Sequence, residues 1–303
     1  MAVDGPRFLL MKMTEQTTRT NESPKHFAAM DAVSRGAKFR YVNGVGIYTL
    51  PALEKLAGFD HGFSARSGGV SSGGFASLNL SFTRPENREN VMENYRRFCR
   101  AADIEFERMV MDNYAHETTV LCVDARDAGR GYLSDPLPSC DGLVTNDPSI
   151  TLITGHADCM AFYFADPVRR CIGLAHAGWR GALGRIGANV VSAMKERFGS
   201  NPADVIAGVG PSICPDCFEV GHNVADSFRQ EFPDIPCVLD RGDGERPHVD
   251  LWMVAVRQFM DAGVPAEHIS LFDVCTVETP RLYSHRRDHG NTGGMAAYLR
   301  ILP

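Results

Sequence analysis

Three stretches of the chain carry apolar residues at the spacing of an amphipathic helix. Their apolar positions are Val91, Tyr95, Phe98 and Ala102; Leu183, Ile186, Val190, Met194 and Phe198; and Leu251, Ala255, Phe259 and Ala262. The first stretch follows Pro85 and the second ends at Gly199. Asp250 is the expected N-cap of the third stretch, which Gly263 and Pro265 would end. The pattern therefore predicts three amphipathic helices.

Short apolar runs bounded by turn residues lie between the first two of these helices. They occupy residues 150–154, 160–164 and 171–175, and Asp166 with Pro167 marks the turn between the last two. Because these predicted strands follow one another without intervening helices, the pattern favours a mixed α/β fold of the α+β kind. A strictly alternating dinucleotide-binding fold is disfavoured.

The N-terminal part of the chain differs in composition from the rest. Residues 1–37 are polar and rich in Thr, Glu, Asn and Lys, which predicts a loosely held N-terminal extension. From Phe39 onward there is no linker-like tract, no internal repeat and no low-complexity segment. We therefore expect a single domain over residues 38–303.

Charge and cysteine content narrow the class of protein. Lys and Arg number 31 against 37 for Asp and Glu, so the net charge is −6, which argues against a nucleic-acid partner. The balance favours a small-molecule enzyme or a neutral binding module. No stretch approaches the roughly 18 apolar residues of a membrane span, and the apolar run at residues 8–11 is too short for a secretory signal. Nine scattered cysteines fit reduced thiols in the cytoplasm.

Several common catalytic motifs are absent from the sequence. There is no phosphate-binding P-loop and no glycine fingerprint after a strand, so we expect no dependence on ATP, NAD or FAD. The nucleophile elbow of the α/β-hydrolases and the paired histidines of the zinc proteases are missing too. His285 and His289 have the i, i+4 spacing of a helical metal site, but the polar and glycine residues around them predict a loop.

A second near match concerns a zinc-dependent deaminase pattern. His156 and Asp158, followed by Cys214 and Cys217, resemble the pattern H-x-E…P-C-x-x-C, but the acid is Asp and the proline is missing. The Cys214-x-x-Cys217 pair alone is compatible with half of a zinc site, a redox pair or two buried thiols.

One thiol and one imidazole stand at the same end of a predicted hairpin. Cys159 comes just before the strand at residues 160–164, and His176 follows the strand at residues 171–175. Zinc prefers sulfur and nitrogen ligands, and a third protein ligand would leave a fourth position open for catalysis. The spacing leaves several histidines available as that ligand. A Cys/His pair also suits a thiol nucleophile and its base.

Motifs along most of the chain carry a family resemblance. They are RSGGVS at residues 66–71, FASLNL at 75–80, His116, ADC at 157–159, HAGWRG at 176–181, GPSI at 210–213, EVG at 219–221, and SHR at 284–286 with Gly290. With these residues the sequence resembles the YfiH/LACC1 family, a laccase-like family also called polyphenol oxidase or peptidoglycan editing factor. The resemblance covers roughly residues 60–300.

The resemblance implies a fold, a metal site and an activity. The implied fold is a layered αββα sandwich of the CNF1/YfiH-like type, and the implied zinc ligands are His116, Cys159 and His176. These three residues, with Asp158, form the expected catalytic set. The implied reaction is phosphorolysis of adenosine, inosine or methylthioadenosine to a free base and ribose 1-phosphate, with adenosine deamination as a side activity. A purine nucleoside and phosphate are then the expected partners.

Four further residues in these motifs are expected to bind substrate. Arg66, Arg180 and Arg286 offer the planar guanidinium fork that matches phosphate oxygens. Asn79 has amide donors and an acceptor suited to a base edge or to holding a loop. Asp158 is expected either to hold a ligating imidazole or to cap a turn.

The sequence departs from the family pattern near the site. Tyr114, Ala115 and Glu117 flank His116 where the family has Gln-Val-His-Gly, His156 replaces a threonine, and Gly294 replaces an arginine. His156 is compatible with a fourth ligand, a proton shuttle or a loop residue. These departures bear on substrate preference more than on metal binding.

Three other functions are compatible with the same residues. Copper outcompetes zinc at such ligands in vitro, which would suit a laccase-like polyphenol oxidase, although the chain has no H-x-H pair. Cys159 with His176 would suit a cysteine hydrolase that edits peptidoglycan precursors. A non-catalytic zinc-binding module is the third alternative. The oligomeric state cannot be inferred from the sequence.

Overall fold

The computed structural model describes residues 27–242 and 244–303. The strands are β1 Ser34–Arg35, β2 Lys38–Val42, β3 Val45–Thr49, β4 Phe59–Ser64, β5 Met109–Met111, β6 Val120–Cys122, β7 Gly142–Thr145, β8 Thr151–His156, β9 Met160–Asp166, β10 Cys171–Ala177, β11 Ile206–Val209, β12 Val238–Leu239, β13 His248–Val249, β14 Ile269–Leu271 and β15 Met295–Ile301. The α-helices are α1 Pro51–Glu54, α2 Arg88–Ala102, α3 Trp179–Leu183, α4 Ile186–Phe198, α5 His222–Glu231 and α6 Leu251–Asp261. Short 3₁₀ turns lie at Ala28–Asp31, Gly73–Phe75, Phe106–Arg108, Ala125–Asp127, Pro202–Asp204 and Ala266–His268.

Two mixed sheets form the centre of the fold. The seven-stranded sheet has the order β1-β14-β11-β9-β10-β7-β6, and the six-stranded sheet has the order β2-β3-β4-β15-β8-β5. Each sheet combines parallel and antiparallel pairs: β9 is antiparallel to β10 and β11, whereas β6 is parallel to β7 and β5 to β8. The predicted mixed α+β fold is confirmed.

The pleat of β9 explains why its apolar run is continuous. Phe162 and Phe164 pack on one face with residues of α4 and α6, whereas Ala161 and Tyr163 pack on the other face with the six-stranded sheet. Successive strand side chains point to opposite faces, so a strand covered on both faces must be apolar throughout. Helix α2 covers the outer face of the six-stranded sheet. The layers therefore run helix, sheet, sheet, helix.

The first and third predicted helices are confirmed. In α2, the Asn87 side chain accepts a hydrogen bond from the Glu89 backbone N–H, and Asp103 ends the helix in the left-handed region. In α6, the Asp250 carboxylate accepts from the Met253 N–H at 2.9 Å. Gly263, with a φ of +97°, follows its last turn.

The prediction of one continuous helix over the second apolar stretch is wrong. Leu183 ends the short helix α3, and Arg185, with a φ of 60°, separates it from α4. At the break, a Cβ on Gly184 would lie 2.5 Å from Thr118 Cγ2, so the neighbouring loop passes too close for a side chain. Gly199 ends α4 in the left-handed region as predicted.

The three predicted strands are confirmed with small shifts of their bounds, but they do not share one sheet. Strand β8 lies in the six-stranded sheet, whereas β9 and β10 are adjacent in the seven-stranded sheet. Residues 157–159 therefore carry the chain from one sheet to the other. This crossing includes Cys159.

Most of the predicted N-terminal extension, residues 1–26, lies outside the described residues. Within its described part, β1 pairs in parallel with β14 at the edge of the seven-stranded sheet. Among the described residues, no helix combines the length and the apolar character that a membrane span requires.

Candidate metal centre

The structure brings His116, Cys159 and His176 together. One ligand atom from each lies within 4.8 Å of the others. Cys159 directly precedes β9 and His176 lies in β10, and these strands pair so that His176 is opposite Ala161, as the predicted hairpin requires. His116 comes from the loop between β5 and β6. The thiol and imidazole of the predicted hairpin and the histidine implied by the resemblance thus form one donor group.

Unusual backbone conformations allow these side chains to converge. His116 has a φ of 61° and Asp158 a φ of 80°, both in the left-handed region. A Cβ on Gly178 would lie 2.9 Å from His116 Cδ2 and 3.3 Å from Cys159 Sγ. Glycine is therefore required at this position of the HAGWRG motif because two ligands occupy the space of a side chain.

Asp141, just before β7, holds both histidine ligands in place. Its carboxylate accepts a hydrogen bond from His176 Nδ1 at 2.9 Å. It also accepts the backbone N–H groups of Ala115, His116 and Glu117 at 2.9–3.0 Å. With Nδ1 engaged, Nε2 of His176 is the nitrogen available to a ligand. No sequence motif marks Asp141, so its role could not be predicted from the sequence.

The donor group is electrostatically coupled. Burial opposes ionisation of Cys159, but the charge of His176 and hydrogen bonds from His116 and His176 outweigh it and lower the pKa of the thiol. Burial likewise opposes charge on His176, whereas the Cys159 thiolate and Asp141 raise the pKa of this imidazole well above its usual value. The site therefore favours a thiolate, the form in which cysteine binds metals and attacks substrates.

His156 is buried, and both of its ring nitrogens are occupied. Nε2 lies 2.7 Å from Thr154 Oγ1 and Nδ1 lies 3.2 Å from the Cys159 carbonyl oxygen. Burial, together with the charge of His176, lowers the pKa of His156 well below its usual value, so the ring is neutral. His156 is not part of the donor group found among the described residues. It supports the loop of Cys159.

Asp158 does not hold a ligating imidazole; Asp141 does. The Asp158 carboxylate accepts from Thr276 Oγ1 at 2.5 Å and from the Arg286 backbone N–H at 2.6 Å. Its carbonyl oxygen accepts from the Ile213 N–H at 3.0 Å. Asp158 therefore ties the crossing between the sheets to two later loops.

The donor group opens into a cavity of about 480 Å³. The residues around it include Phe82, Arg84, Asp112, Tyr114, Trp179, Phe218, His285 and Arg286. Aromatic walls with a few polar groups are typical of small-molecule sites, which commonly have volumes of roughly 300–1,000 Å³.

Two polar atoms at this cavity are buried and make no hydrogen bond in the described part of the chain. They are Asp112 Oδ2 and Arg84 Nε. Burial raises the pKa of Asp112 to about 8, with His176 opposing the shift and Asp141 adding to it. Asp112 thus carries a proton at neutral pH. A buried polar atom without a partner is costly, and a hydrogen bond to a ligand in the cavity would satisfy each of these two atoms. Neither was found from the sequence.

Arg66 and Asn79 lie outside the cavity wall. Arg66 donates from Nε to the Ala76 carbonyl at 2.8 Å, and its guanidinium lies 4.6 Å from the Tyr283 ring centroid. Asn79 is buried, and its amide holds the loop beside Phe82: Nδ2 donates to Glu86 at 2.6 Å, while Oδ1 accepts from the Ser81 and Gly294 N–H groups. Their direct contact with substrate stays a prediction.

The other two predicted arginines are nearer the cavity. Arg286 lines it, with its guanidinium donating to the carbonyl oxygens of Cys217 at 3.0 Å and Glu219 at 2.9 Å. Arg180 is exposed and lies 4.3 Å from the ring centroid of Trp179, which lines the cavity.

The remaining sequence patterns fall in different places. His285 and His289 lie in a turn, and His285 lines the cavity. Cys214 and Cys217 belong to a second donor group that does not contain His156, so the deaminase-like pattern does not form one site in the described residues.

Most of the chain matches one known protein family and several of its members. Residues 60–302 match the family described as multi-copper polyphenol oxidoreductase laccase. The purine nucleoside phosphorylase YlmD of Bacillus subtilis is 34% identical over 241 residues, which cover 78% of this chain and 87% of that protein. A purine nucleoside phosphorylase of Deinococcus radiodurans is 37% identical over 241 residues, covering 80% and 88%.

Solved structures show the same architecture. The crystal structure of YlmD from Geobacillus stearothermophilus superposes with a TM-score of 0.82 at 33% identity, covering 87% of this chain and 98% of that one. The Bacillus licheniformis protein YfiH superposes with a TM-score of 0.79 at 30% identity, covering 87% and 98%.

Proposed function

Because the chain belongs to the multi-copper polyphenol oxidoreductase laccase family, we propose that it is a zinc-dependent purine nucleoside phosphorylase. Relatives that carry the name purine nucleoside phosphorylase support the reaction class. One observation carries the proposal for this chain: a Cys/His donor group and the unpaired groups of Arg84 and Asp112 share one cavity. The nine cysteines are free thiols, which fits the cytoplasm as the place of action.

The donor group suits zinc. One sulfur and two nitrogens within 4.8 Å of one another match its preferred ligands, and His116 stands on the cavity side with its side chain exposed. Three protein ligands leave one position for a substrate oxygen, the arrangement of catalytic rather than structural zinc. Bound there, the ion would supply Lewis acidity toward that oxygen.

The chain's own residues would perform the group transfer as follows. Phosphorolysis forms a bond from a phosphate oxygen to C1′ of the ribose and breaks the bond from C1′ to the purine nitrogen, whose electron pair leaves with the base. Arg84 and Arg286 would hold the phosphate by charge-assisted hydrogen bonds. Asp112, protonated at neutral pH, would donate its proton to the departing purine.

The aromatic wall supports a purine nucleoside as the proposed substrate class. Phe82, Tyr114 and Trp179 offer ring faces against which a purine can stack while water is excluded. We include adenosine, inosine and methylthioadenosine as substrates, since none of them places a charge on these faces. Deamination of adenosine is the proposed side activity of the same cavity.

A cysteine hydrolase is the second candidate, and a specific observation favours it. Asp141 is hydrogen-bonded to His176, which in turn activates the Cys159 thiolate, so the three residues are ordered as in a nucleophile–base–acid triad. Such a site would attack an amide of a peptidoglycan precursor.

A laccase-like copper oxidase is less supported, because one histidine-containing donor group is found in the described residues and such oxidases use several copper centres.

The deciding experiment measures base release by the purified metal-loaded protein. Inosine and adenosine are each incubated with and without inorganic phosphate, and the free base, ribose 1-phosphate and inosine are quantified by chromatography. The proposal expects hypoxanthine from inosine and adenine from adenosine, each in an amount equal to the ribose 1-phosphate formed, and only with phosphate. Base release without phosphate would indicate a hydrolase, and no release from any nucleoside would contradict the proposal.

Metal dependence separates the two candidates. Removal of zinc with a chelator should abolish phosphorolysis, and added zinc should restore it. A thiol hydrolase would instead stay active without metal and lose activity on alkylation of Cys159.

A further inference from the structure

A second group of metal-binding side chains lies apart from the first. Cys214, Cys217, Cys275 and Glu278 place one ligand atom each within 4.8 Å of one another. We propose that these four residues form a second metal site, which binds a zinc ion through three thiolates and one carboxylate and has a structural role.

Two matching turns build this site. Cys214 and Cys217 are three residues apart on one turn, and Cys275 and Glu278 are three residues apart on another. In the first turn, the Cys217 N–H donates to the Cys214 carbonyl at 3.1 Å. A bridge between Ser212 and Cys275 sets the turns side by side, so all four donors face one point. Paired turns that each supply two ligands are the usual frame of a structural zinc site.

The distances agree with tetrahedral coordination. Glu278 Oε1 lies 3.8 Å from Cys214 Sγ and 3.7 Å from Cys217 Sγ. Zinc bonds of about 2.3 Å to sulfur and about 2.0 Å to oxygen, at tetrahedral angles, place these atoms about 3.5 Å apart. These two contacts are therefore within a few tenths of an ångström of the spacing that a bound zinc ion requires.

The surroundings support a structural site. Cys214 and Cys275 are buried, whereas Glu278 is exposed and would close the site toward solvent. The backbone N–H of Cys214 points at Cys275 Sγ, with a distance of 3.4 Å from N to Sγ, a contact that stabilises a thiolate ligand. Four protein donors leave no open position for a substrate, in contrast to the His116 site.

The other acidic side chains near the thiols have partners elsewhere. Asp273 is paired with Arg35 at 3.2 Å, and Asp216 is paired with Arg241. The Asp250 carboxylate caps α6. Among these acidic side chains, Glu278 is the one whose carboxylate contacts the thiols of Cys214 and Cys217.

The proposed ion would steady one wall of the main cavity. Ile213 and Phe218, on either side of the first turn, both line that cavity. The guanidinium of Arg286, which also lines it, is held by the Cys217 carbonyl oxygen at 3.0 Å. Clamping the two turns would therefore fix the position of Arg286. The reaction itself would not involve the second ion.

Metal analysis of the full chain tests the proposal. The wild-type protein is expected to carry two zinc ions, and Cys217→Ser and Cys275→Ser should each carry one. Cys159→Ser should also carry one, because it removes the other ion, and the double variant Cys159→Ser/Cys217→Ser none. Cys122→Ser, at an exposed thiol on β6, is the matched control and should keep both.

Cobalt substitution in the wild-type protein gives an independent test if a variant does not fold. The second site, with three thiolates, should give more intense thiolate-to-cobalt absorption per ion than the first site, which has one. A zinc content that is unaffected by both Cys217→Ser and Cys275→Ser would overturn the proposal. So would a disulfide between Cys214 and Cys217 in the native protein. These readouts do not depend on phosphorolysis, so this inference and the proposed function fail separately.

Discussion

At the scale of single residues, Asp141 determines how the histidine ligands are presented. Asp141→Asn keeps the shape but loses the carboxylate that accepts His176 Nδ1–H and three backbone N–H groups. We expect zinc affinity at the His116 site to fall by about 10- to 100-fold, as for other residues that orient a metal ligand. Competition with a fluorescent chelator measures it. Asp135→Asn, at an exposed carboxylate, is the control, and equal affinities in the two variants would contradict this role.

Asp112 makes stability depend on pH. Burial raises its pKa to about 8 in the folded chain, whereas an unfolded Asp titrates near 4. The folded state therefore binds more protons between about pH 4 and 8, so the free energy of unfolding should decrease as the pH rises through this window. Asp112→Asn removes this term and should stabilise the protein at pH 8 by on the order of a few kcal/mol relative to wild type.

Urea unfolding of wild type and Asp112→Asn at pH 5 and pH 8 measures the Asp112 effect, with Asp135→Asn as control. Identical pH dependence in wild type and Asp112→Asn would show that the carboxyl titrates normally. As the proposed proton donor, Asp112 also predicts that wild-type turnover declines above about pH 8, where the proton is lost.

Arg84 is expected to bind the phosphate. Its buried Nε lacks a partner at the cavity, so a bound anion would complete its hydrogen bonding. Arg84→Lys keeps the charge but loses the planar fork, and we expect the KM for phosphate to rise by about 10- to 100-fold with the nucleoside saturating. Arg180→Lys tests the sequence-based prediction in the same assay, and Arg126→Lys at an exposed site is the control. An unchanged phosphate KM in Arg84→Lys would remove Arg84 from the site.

At the scale of elements, the junction between β10 and α3 brings the ligands close together. Gly178→Ala would place a methyl group 2.9 Å from His116 Cδ2 and 3.3 Å from Cys159 Sγ. We expect zinc at this site to be lost while the fold is retained, because the clash falls on side chains at a cavity. Gly155→Ala is the matched control, since its Cβ would make an ordinary 3.4 Å contact with Tyr114. Metal analysis of both variants measures the zinc content, and circular dichroism shows whether the fold is retained. Full zinc content in Gly178→Ala would contradict the prediction.

The three helices and three strands predicted from the sequence are found with one exception, a helix that divides in two. Helices α2 and α6 follow from apolar periodicity with an Asn or Asp cap and a left-handed stop. The break between α3 and α4, marked by the left-handed Arg185, was not predictable; beside it the Thr118 side chain, from a distant loop, occupies the space of a side chain at Gly184. Periodicity reports which face of a segment is buried; it carries no information on which loop crosses that face.

At the scale of the whole molecule, metal binding should stabilise the fold. The ligands come from the β5–β6 loop, the crossing between the sheets and β10, so a bound ion links segments that unfolding separates. We expect zinc removal to lower Tm and zinc addition to raise it, with about 2.7 kcal/mol of stabilisation at a free zinc concentration 100 times Kd. Thermal scans at several free zinc concentrations measure this, with magnesium as control. A Tm that does not change with zinc would show that the ion does not bind the folded state preferentially.

The sequence alone determined helices α2 and α6, the β9–β10 hairpin and, with it, the meeting of Cys159 and His176, because strands paired through a short turn bring their ends together wherever the sheet lies. Resemblance to a family added His116. Only the tertiary structure brings the Asp141 carboxylate to His176 Nδ1. It also places Arg84 and Asp112 in the wall of one cavity. Finally, it brings the pair Cys214 and Cys217 close to Cys275 and Glu278. These contacts join residues far apart in the chain. They depend on the order of strands in two sheets, which residue periodicity and short-range spacing do not encode.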